Sequence, residues 1–371
     1  MKIKSKPEDF YVREIIDLDK KKEGNTYRYF LMRKRNVNTI SAIKIIARKL
    51  HISKRKIYFA GEKDKNTISE QYIAIRNFND FKEEYNFGNI YLKYIGSYDE
   101  PLKISDIKEN YFKIIIRDVS SEELNLFKEN INIFNKYYIN YFDEQRFGNR
   151  YNNHIIGKYL IKKDYENAIK ILLTDYKNEK NEKAINARKY LFENWGNFKE
   201  ALKLFPNFLD IERSILLYLS KEVNYKRALK YIPKRILKMF VHSYQSYLWN
   251  KLVSEYIRKN YGEEHYIETK IGKFYIIKNN IEKLKDVIIP TIGYDIKDKK
   301  LYEEILKEEG IRMKDLEFKD KPSLSLLSTN RKLLSEVKDL KYEIKDNIIE
   351  VEFKLNKGSF ATMYIKHLFS L

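Results

Sequence analysis

The hydrophobic period changes twice along these 371 residues, and that double change restricts the fold more than any other feature. Up to about residue 157, short alternating apolar runs predict strands at Phe10 to Ile15, Tyr27 to Met32, Ile57 to Ala60, Glu70 to Asn77, Ile90 to Gly96 and Tyr111 to Val119. Two helices interrupt them. One, capped by Asn38 or Thr39, aligns Ile40, Ile43, Ile46 or Ala47 and Leu50. The other runs from a cap at Ser121 to Asn140, with Leu124, Phe127, Ile131 and Phe134 on one face. From Gly157 helical spacing takes over for roughly a hundred residues. A mixed stretch follows, with strands near Tyr266 and Tyr275 and a helix from Lys299 to Gly310. Strand alternation returns between Asp339 and Leu355 around a turn at Asp346 and Asn347, and a last helix is expected from Ser359 to Leu368.

A terminal hairpin needs a sheet to complete, so helical material framed by strands reads as an insertion into an α+β domain. The expected division is one discontinuous domain, residues 1–157 and 339–371, interrupted by an insertion, residues 158–338.

Charge narrows the partner. The chain carries 73 Lys and Arg against 53 Asp and Glu, a formal +20, which points to a polyanion, with nucleic acid ahead of an anionic membrane surface. No apolar run approaches the ~18 residues of a membrane span. With no cysteine at all, disulfides, thiolate-ligated zinc, iron–sulfur clusters and thiol nucleophiles are excluded, and a reducing, cytoplasmic setting is expected. The five histidines lie far apart without metal-ligand spacing, and phosphate-loop, dinucleotide and serine-hydrolase motifs are missing. The expected chemistry uses no cofactor and no metal.

Two segments could carry it. In Ala60–Gln71, a glycine ends an apolar strand and Asp64 stands between Lys63 and Lys65, whose charges favour an anionic aspartate, a usable nucleophile. The same residues would also make an ordinary solvated turn. Asn140–Arg150 interleaves Tyr141, Phe142 and Phe147 with Asn140, Gln145, Arg146 and Arg150, the types that stack on a base, bond its edge and hold a phosphate. Core packing, with Arg146 paired to Glu144 or Asp143, is the other reading. Lys4, Pro7 and Phe10 lie on a basic N-terminal strand, and Phe360 lies at a hairpin-to-helix junction with Ser359 as its cap.

Taken in order, these segments resemble the TruD-type tRNA pseudouridine synthases. The catalytic motif of that family is matched by Ala60, Gly61, Lys63, Asp64, Lys65 and Gln71, with Thr67 and Ser69 as mild departures. The N-terminal motif is matched by Lys4, Pro7, Glu8, Asp9, Phe10, Val12 and Glu14, and further blocks by Lys34, Asn38 and Thr39 and by Asn110 and Phe112. Asn140, Tyr141, Phe142, Gln145, Arg146, Phe147 and Gly148 match another, with Asp143 in place of a glycine. Ser246, Leu248, Trp249 and Asn250, then Gly358 to Thr362, complete seven blocks across the chain.

The resemblance implies a pseudouridine synthase core, with a bent, mainly antiparallel mixed sheet, and a family-specific insertion (TRUD) domain. It also implies isomerisation of uridine in tRNA, typically at position 13. Asp64 would be the nucleophile and Lys4 its ion-pair partner, acting on a flipped-out base. Phe10, Phe142 and Phe360 would wall the base and Asn140 would bond its edge, while Lys63, Lys65, Gln71 and Arg146 complete the expected substrate contacts. A monomer is expected. Two other readings use the same residues: a non-catalytic tRNA-binding or remodelling protein, and a metal-dependent nuclease with Glu62 and Asp64 as ligands.

Overall fold

The structure, a computed structural model, describes residues 1–371. It contains 11 α-helices and divides into two compact units, Met1–Tyr138 with Ser335–Ser370, and Ile139–Leu334 with Leu371.

The first unit is built on an 11-stranded mixed sheet, so the fold class is α+β. Nine strands run in the order Glu84–Asn86, Ile90–Tyr98, Glu23–Arg35, Ile68–Arg76, Phe10–Ile16, Ile107–Arg117, Ile348–Asn356, Leu334–Lys345, Tyr137–Ile139, and two more pair beside them, Lys2–Ile3 on Ile107–Arg117 and Ile57–Phe59 on Ile68–Arg76. From Glu84–Asn86 to Leu334–Lys345 neighbours are antiparallel apart from Phe10–Ile16 and Ile68–Arg76, which run parallel with Tyr11 opposite Ile68. Alternation along Glu23–Arg35 sends Phe30, Met32 and Lys34 to the buried face. Helix Thr39–Lys49 packs Ile43 and Ile46 against Phe30, Met32, Ile73 and Leu92 there. Its cap is Asn38, whose side chain accepts the Ser41 N–H at 2.8 Å.

Three local expectations change. The second helix, Ser121–Ile133, is capped by Ser120, because only Ser120 has a glutamate three residues on to complete a capping box with Glu123. That helix stops well short of Asn140, and Tyr137–Ile139 is a strand. The last helix is Ala361–Leu368, with Phe360 rather than Ser359 at the cap position.

The second unit is mainly helical. Its axis is Lys234–Tyr261, a 28-residue helix whose Leu237, Val241, Tyr244 and Leu248 are buried in the unit's core. Two small sheets, Tyr266–Thr269 with Gly272–Tyr275 and Ile288–Pro290 with Asn330–Lys332, follow that helix in sequence, the short helix Glu303–Glu309 lying between the strands of the second. The unit begins at Ile139, earlier than the expected boundary at residue 157. The reason is local: helix Asn153–Ile161 packs along Lys234–Tyr261, and a Cβ on Gly157 would overlap the Phe240 carbonyl oxygen. Past the strand Tyr137–Ile139, residues 140–157 therefore belong to the helical unit, not to the sheet. No helix in the chain is long and apolar enough to cross a membrane.

Candidate active site

Residues Gly61–Thr67 form the turn between strands Ile57–Phe59 and Ile68–Arg76, and side chains from three neighbouring elements fix it. The Lys63 N–H donates to Thr39 Oγ1 at 2.8 Å, that hydroxyl donates to Gln71 Oε1 at 2.7 Å, and Gln71 Nε2 donates to the Gly61 carbonyl at 2.9 Å. The Lys34 ammonium, fully buried, donates to the carbonyls of Val37 at 2.7 Å, Asp64 at 2.9 Å and Lys63 at 3.4 Å. Within the turn, Thr67 Oγ1 donates to the Asp64 carbonyl at 3.1 Å. Gly61 serves by lacking a side chain, since a Cβ there would lie 3.3 Å from both Glu14 Oε1 and Lys63 Nζ.

So held, the backbone turns the Asp64 side chain outward, where it is 54% exposed and pairs with Lys4 at 2.8 Å. Lys4 adopts φ 59°, a left-handed conformation that is strained for a lysine. Its ammonium also lies 4.3 Å from the centre of the Phe10 ring. Phe10 is buried and packs edge-on against Phe112, so it supports Lys4 and offers a base little open face.

The cations beside Asp64 in sequence do not act as a pair on it. Lys63 turns inward to Glu14, with Nζ to Oε1 at 2.7 Å, and the second Glu14 oxygen accepts the Tyr72 N–H at 3.1 Å. Lys63 and the fully buried Gln71, both expected at the substrate, thus support the turn here. Lys65 is exposed. Phe360 is half-buried at the start of the last helix, its carbonyl accepting the Tyr138 hydroxyl at 3.2 Å.

Asn140, Phe142 and Arg146 lie together in the helical unit. Asn140 is buried, and its side chain is engaged: Oδ1 accepts from Arg331 Nη2 at 2.7 Å and Nδ2 donates to the Lys332 carbonyl at 3.2 Å. The expected bond to a base edge would have to displace these. Asn250 holds the Phe142 backbone at both ends, accepting its N–H at 2.9 Å and donating to its carbonyl at 2.8 Å. The Phe142 ring meets Trp249 edge-on and carries the Arg331 guanidinium 3.9 Å from its centre.

Phe142, Arg146, Lys238, His242, Ser246 and Arg331 all line a cavity of about 560 Å³ within this unit. Arg146 bonds Ser246 Oγ at 3.1 Å rather than Glu144 or Asp143. His242 is pulled below its ordinary value, chiefly by burial, with the Arg146 and Lys238 charges acting in the same direction and the Gln245 hydrogen bond against them. An aromatic wall with fixed cations around it suits a nucleotide. Arg331 had no motif to announce it; Asn250 and Lys34 stood in matched blocks that named no role. No group of three or more histidines and carboxylates gathers anywhere to hold a metal ion.

Comparison with known proteins gives one consistent family. The family model described as tRNA pseudouridine synthase D (TruD) matches residues 1–368. The chain is 32% identical to the tRNA pseudouridine synthase D of Aquifex aeolicus, across 100% of this chain and 98% of that protein. It is 31% identical, over the whole of both chains, to the Methanococcus maripaludis protein named "Probable tRNA pseudouridine synthase D 1". A crystal structure from Methanosarcina mazei, described as a protein of the same kind, superposes with TM-score 0.73 at 26% identity, covering 99% of this chain and 93% of the other.

Proposed function

Since the chain belongs to the tRNA pseudouridine synthase D family, we propose that it isomerises uridine to pseudouridine in tRNA, at position 13, through Asp64. The observation that carries the assignment to Asp64 is its placement: an exposed carboxylate paired with Lys4 on a turn whose backbone is fixed from behind.

The reaction is an isomerisation and balances without a co-reactant. The bond from C1′ to N1 breaks, one from C1′ to C5 forms, the C5 proton leaves to solvent and N1 takes one up. Asp64 attacks C6 of the base or C1′ of the ribose as nucleophile, and Lys4 orients its carboxylate. Phe360 and Lys65 of the sheet unit supply a stacking face and a cation for the flipped nucleotide, offsetting a few kcal/mol of lost stacking, and Phe142 and Arg146 give the helical unit its own aromatic face and cation for RNA.

The helical unit is the family's insertion domain, and it selects the RNA by shape through basic surfaces such as the one around Arg146 and Lys238. The protein works as a monomer in the cytoplasm, where its tRNA substrate is found. A nuclease would need a ligand beyond Glu62 and Asp64, and no such cluster forms. A binding protein would have no use for an aspartate fixed in this way.

The deciding experiment incubates purified protein with tRNA carrying tritium at uridine C5, with chelator present, and maps the product. Tritium release with an intact strand and pseudouridine at position 13 is expected. Binding without release would assign the chain to the non-catalytic reading, and strand cleavage that chelator abolishes would assign it to the nuclease one.

A further inference from the structure

We propose that Lys34, as a protonated ammonium, is a positioning residue for the reaction: it clamps the carbonyls of Lys63 and Asp64 from inside the sheet unit and thereby aims the Asp64 carboxylate. The inference rests on Asp64 being the catalytic group. Nothing in the matched motifs gives Lys34 this part.

The geometry is unusual for a lysine. Its side chain is fully buried and makes no ion pair; its three donors meet three backbone carbonyls, Val37, Lys63 and Asp64, at 2.7, 3.4 and 2.9 Å. Burying a cation against uncharged acceptors is costly, and that cost is offset only through the three carbonyls it fixes. Two of the three acceptors are the carbonyls on either side of the Asp64 N–H and Cα, so the clamp sets the direction in which the Asp64 side chain leaves the backbone. Lys4 then holds the carboxylate from the other side. A turn with no chemistry to perform gains nothing from such a clamp, but a reacting group needs placement to within a fraction of an ångström.

The proton matters to the clamp. A neutral amine keeps two donors and presents a lone pair to the third carbonyl, so one bond of the three turns repulsive. Burial pulls Lys34 from 10.5 down to about 8, with the Asp64 charge opposing and the Lys63 charge assisting that fall. Its cross-strand neighbours, Ser69 and Ile90, carry no charge. Between about 8 and 10.5 the unfolded chain binds a proton that the folded chain does not, so deprotonation of this group makes the fold more stable as pH rises. Loss of rate in that range is therefore not loss of structure through Lys34.

The test uses the full chain with Lys34→Met and Lys34→Arg. Turnover on tritiated tRNA is measured between about pH 6 and pH 10, and backbone amide exchange in the free protein follows the turn. Lys34→Met should lower kcat about 100-fold with KM within about threefold. Exchange should quicken at Lys63–Thr67 but not along Ile68–Arg76. Wild-type kcat should fall through about pH 8, and Lys34→Arg, which keeps its charge, should hold its rate above that limb. A folded Lys34→Met chain with kcat within about threefold of wild type overturns the proposal, as does a loss confined to KM. If neither variant folds, the wild-type profile decides, and a flat kcat across the range overturns it. A wild-type chain that releases no tritium would sink the catalytic reading. The exchange comparison would still report whether Lys34 orders the turn.

Discussion

The Lys4 ammonium meets the Asp64 carboxylate at 2.8 Å although sixty residues separate them in sequence. Lys4 takes a left-handed backbone to make that contact. A pair with one member more than half exposed contributes little to folding, so its value lies in placement. Asp64→Asn should reduce isomerisation by at least about a thousandfold while tRNA affinity stays within a few fold, because the footprint is made of many other contacts. Lys4→Met should lower kcat by about 10- to 100-fold and leave the unfolding midpoint nearly unchanged. Single-turnover rates beside filter-binding affinities would check both. Residual turnover in Asp64→Asn above a thousandth of wild type removes it from the nucleophile's place.

Lys63, one residue before Asp64, should behave in the opposite way. It pairs with a Glu14 side chain that is entirely buried, so Lys63→Met would leave a buried carboxylate with the Tyr72 N–H as its remaining hydrogen bond here. Breaking such a pair from one side costs about 3 kcal/mol or more. Urea unfolding should show that loss, with Glu14→Gln milder because an amide can keep the Tyr72 bond. A stable Lys63→Met chain with weakened tRNA binding would restore Lys63 to the substrate contacts.

How far the sequence speaks for itself depends on what kind of fact is sought. Helix Thr39–Lys49 was legible because its cap, stripe and length agree, and the sheet strands because alternation there spans many residues. Tyr137–Ile139 was not: three residues cannot display a period of two, and their apolar character extends the preceding helical stripe. The turn around Asp64 was legible as a set of residue types in order. Which way each side chain points was not: Lys63, Gln71 and Asn140, expected at a substrate, are engaged with the protein's own groups. One missed residue did leave a signal. Lys34 follows Phe30 and Met32 at a spacing of two, which places a lysine on the buried face of its strand.

Acid should loosen both units through histidines that burial keeps neutral. His154, stacked on Tyr247 in the helical unit, and His367, whose Nδ1 lies 2.9 Å from the Met363 carbonyl in the sheet unit, are both pushed from 6.5 down to about 4. Between those values the unfolded chain takes up protons that the fold refuses, so stability is intact above about pH 6.5 and falls as pH drops towards 4. Each site accounts for on the order of 3 kcal/mol when the fall is complete. Thermal melts of His154→Gln and His367→Gln against wild type, at about pH 7 and pH 5, would show it: each variant should lose less on acidification. An equal loss in all three would place the acid sensitivity elsewhere.

Arg331 should prove as necessary to the helical unit's cavity as Phe142 itself. Its guanidinium donates to both the carbonyl and Oδ1 of Asn140, at 2.6 and 2.7 Å, and lies over Phe142 at 3.9 Å and Trp249 at 5.0 Å. The flat guanidinium stacks on the ring while Nη2 and Nε bond the two oxygens, and an ammonium has no planar face with which to stack in that way. Arg331→Met would fill much of the space but leave those two buried oxygens without that donor, at about 2 kcal/mol, and would give up a cation–ring contact of about 1 kcal/mol. The Phe142 backbone stays fixed by Asn250, so the unit should still fold while the ring and the Asn140 amide lose their common anchor. The expected result is weakened tRNA binding and turnover, with Arg331→Lys nearly as impaired as Arg331→Met, read from Kd and kcat/KM on the same tRNA. If the lysine variant matches wild type, charge alone is what the cavity requires, and the stacked fork has no part in holding the nucleotide.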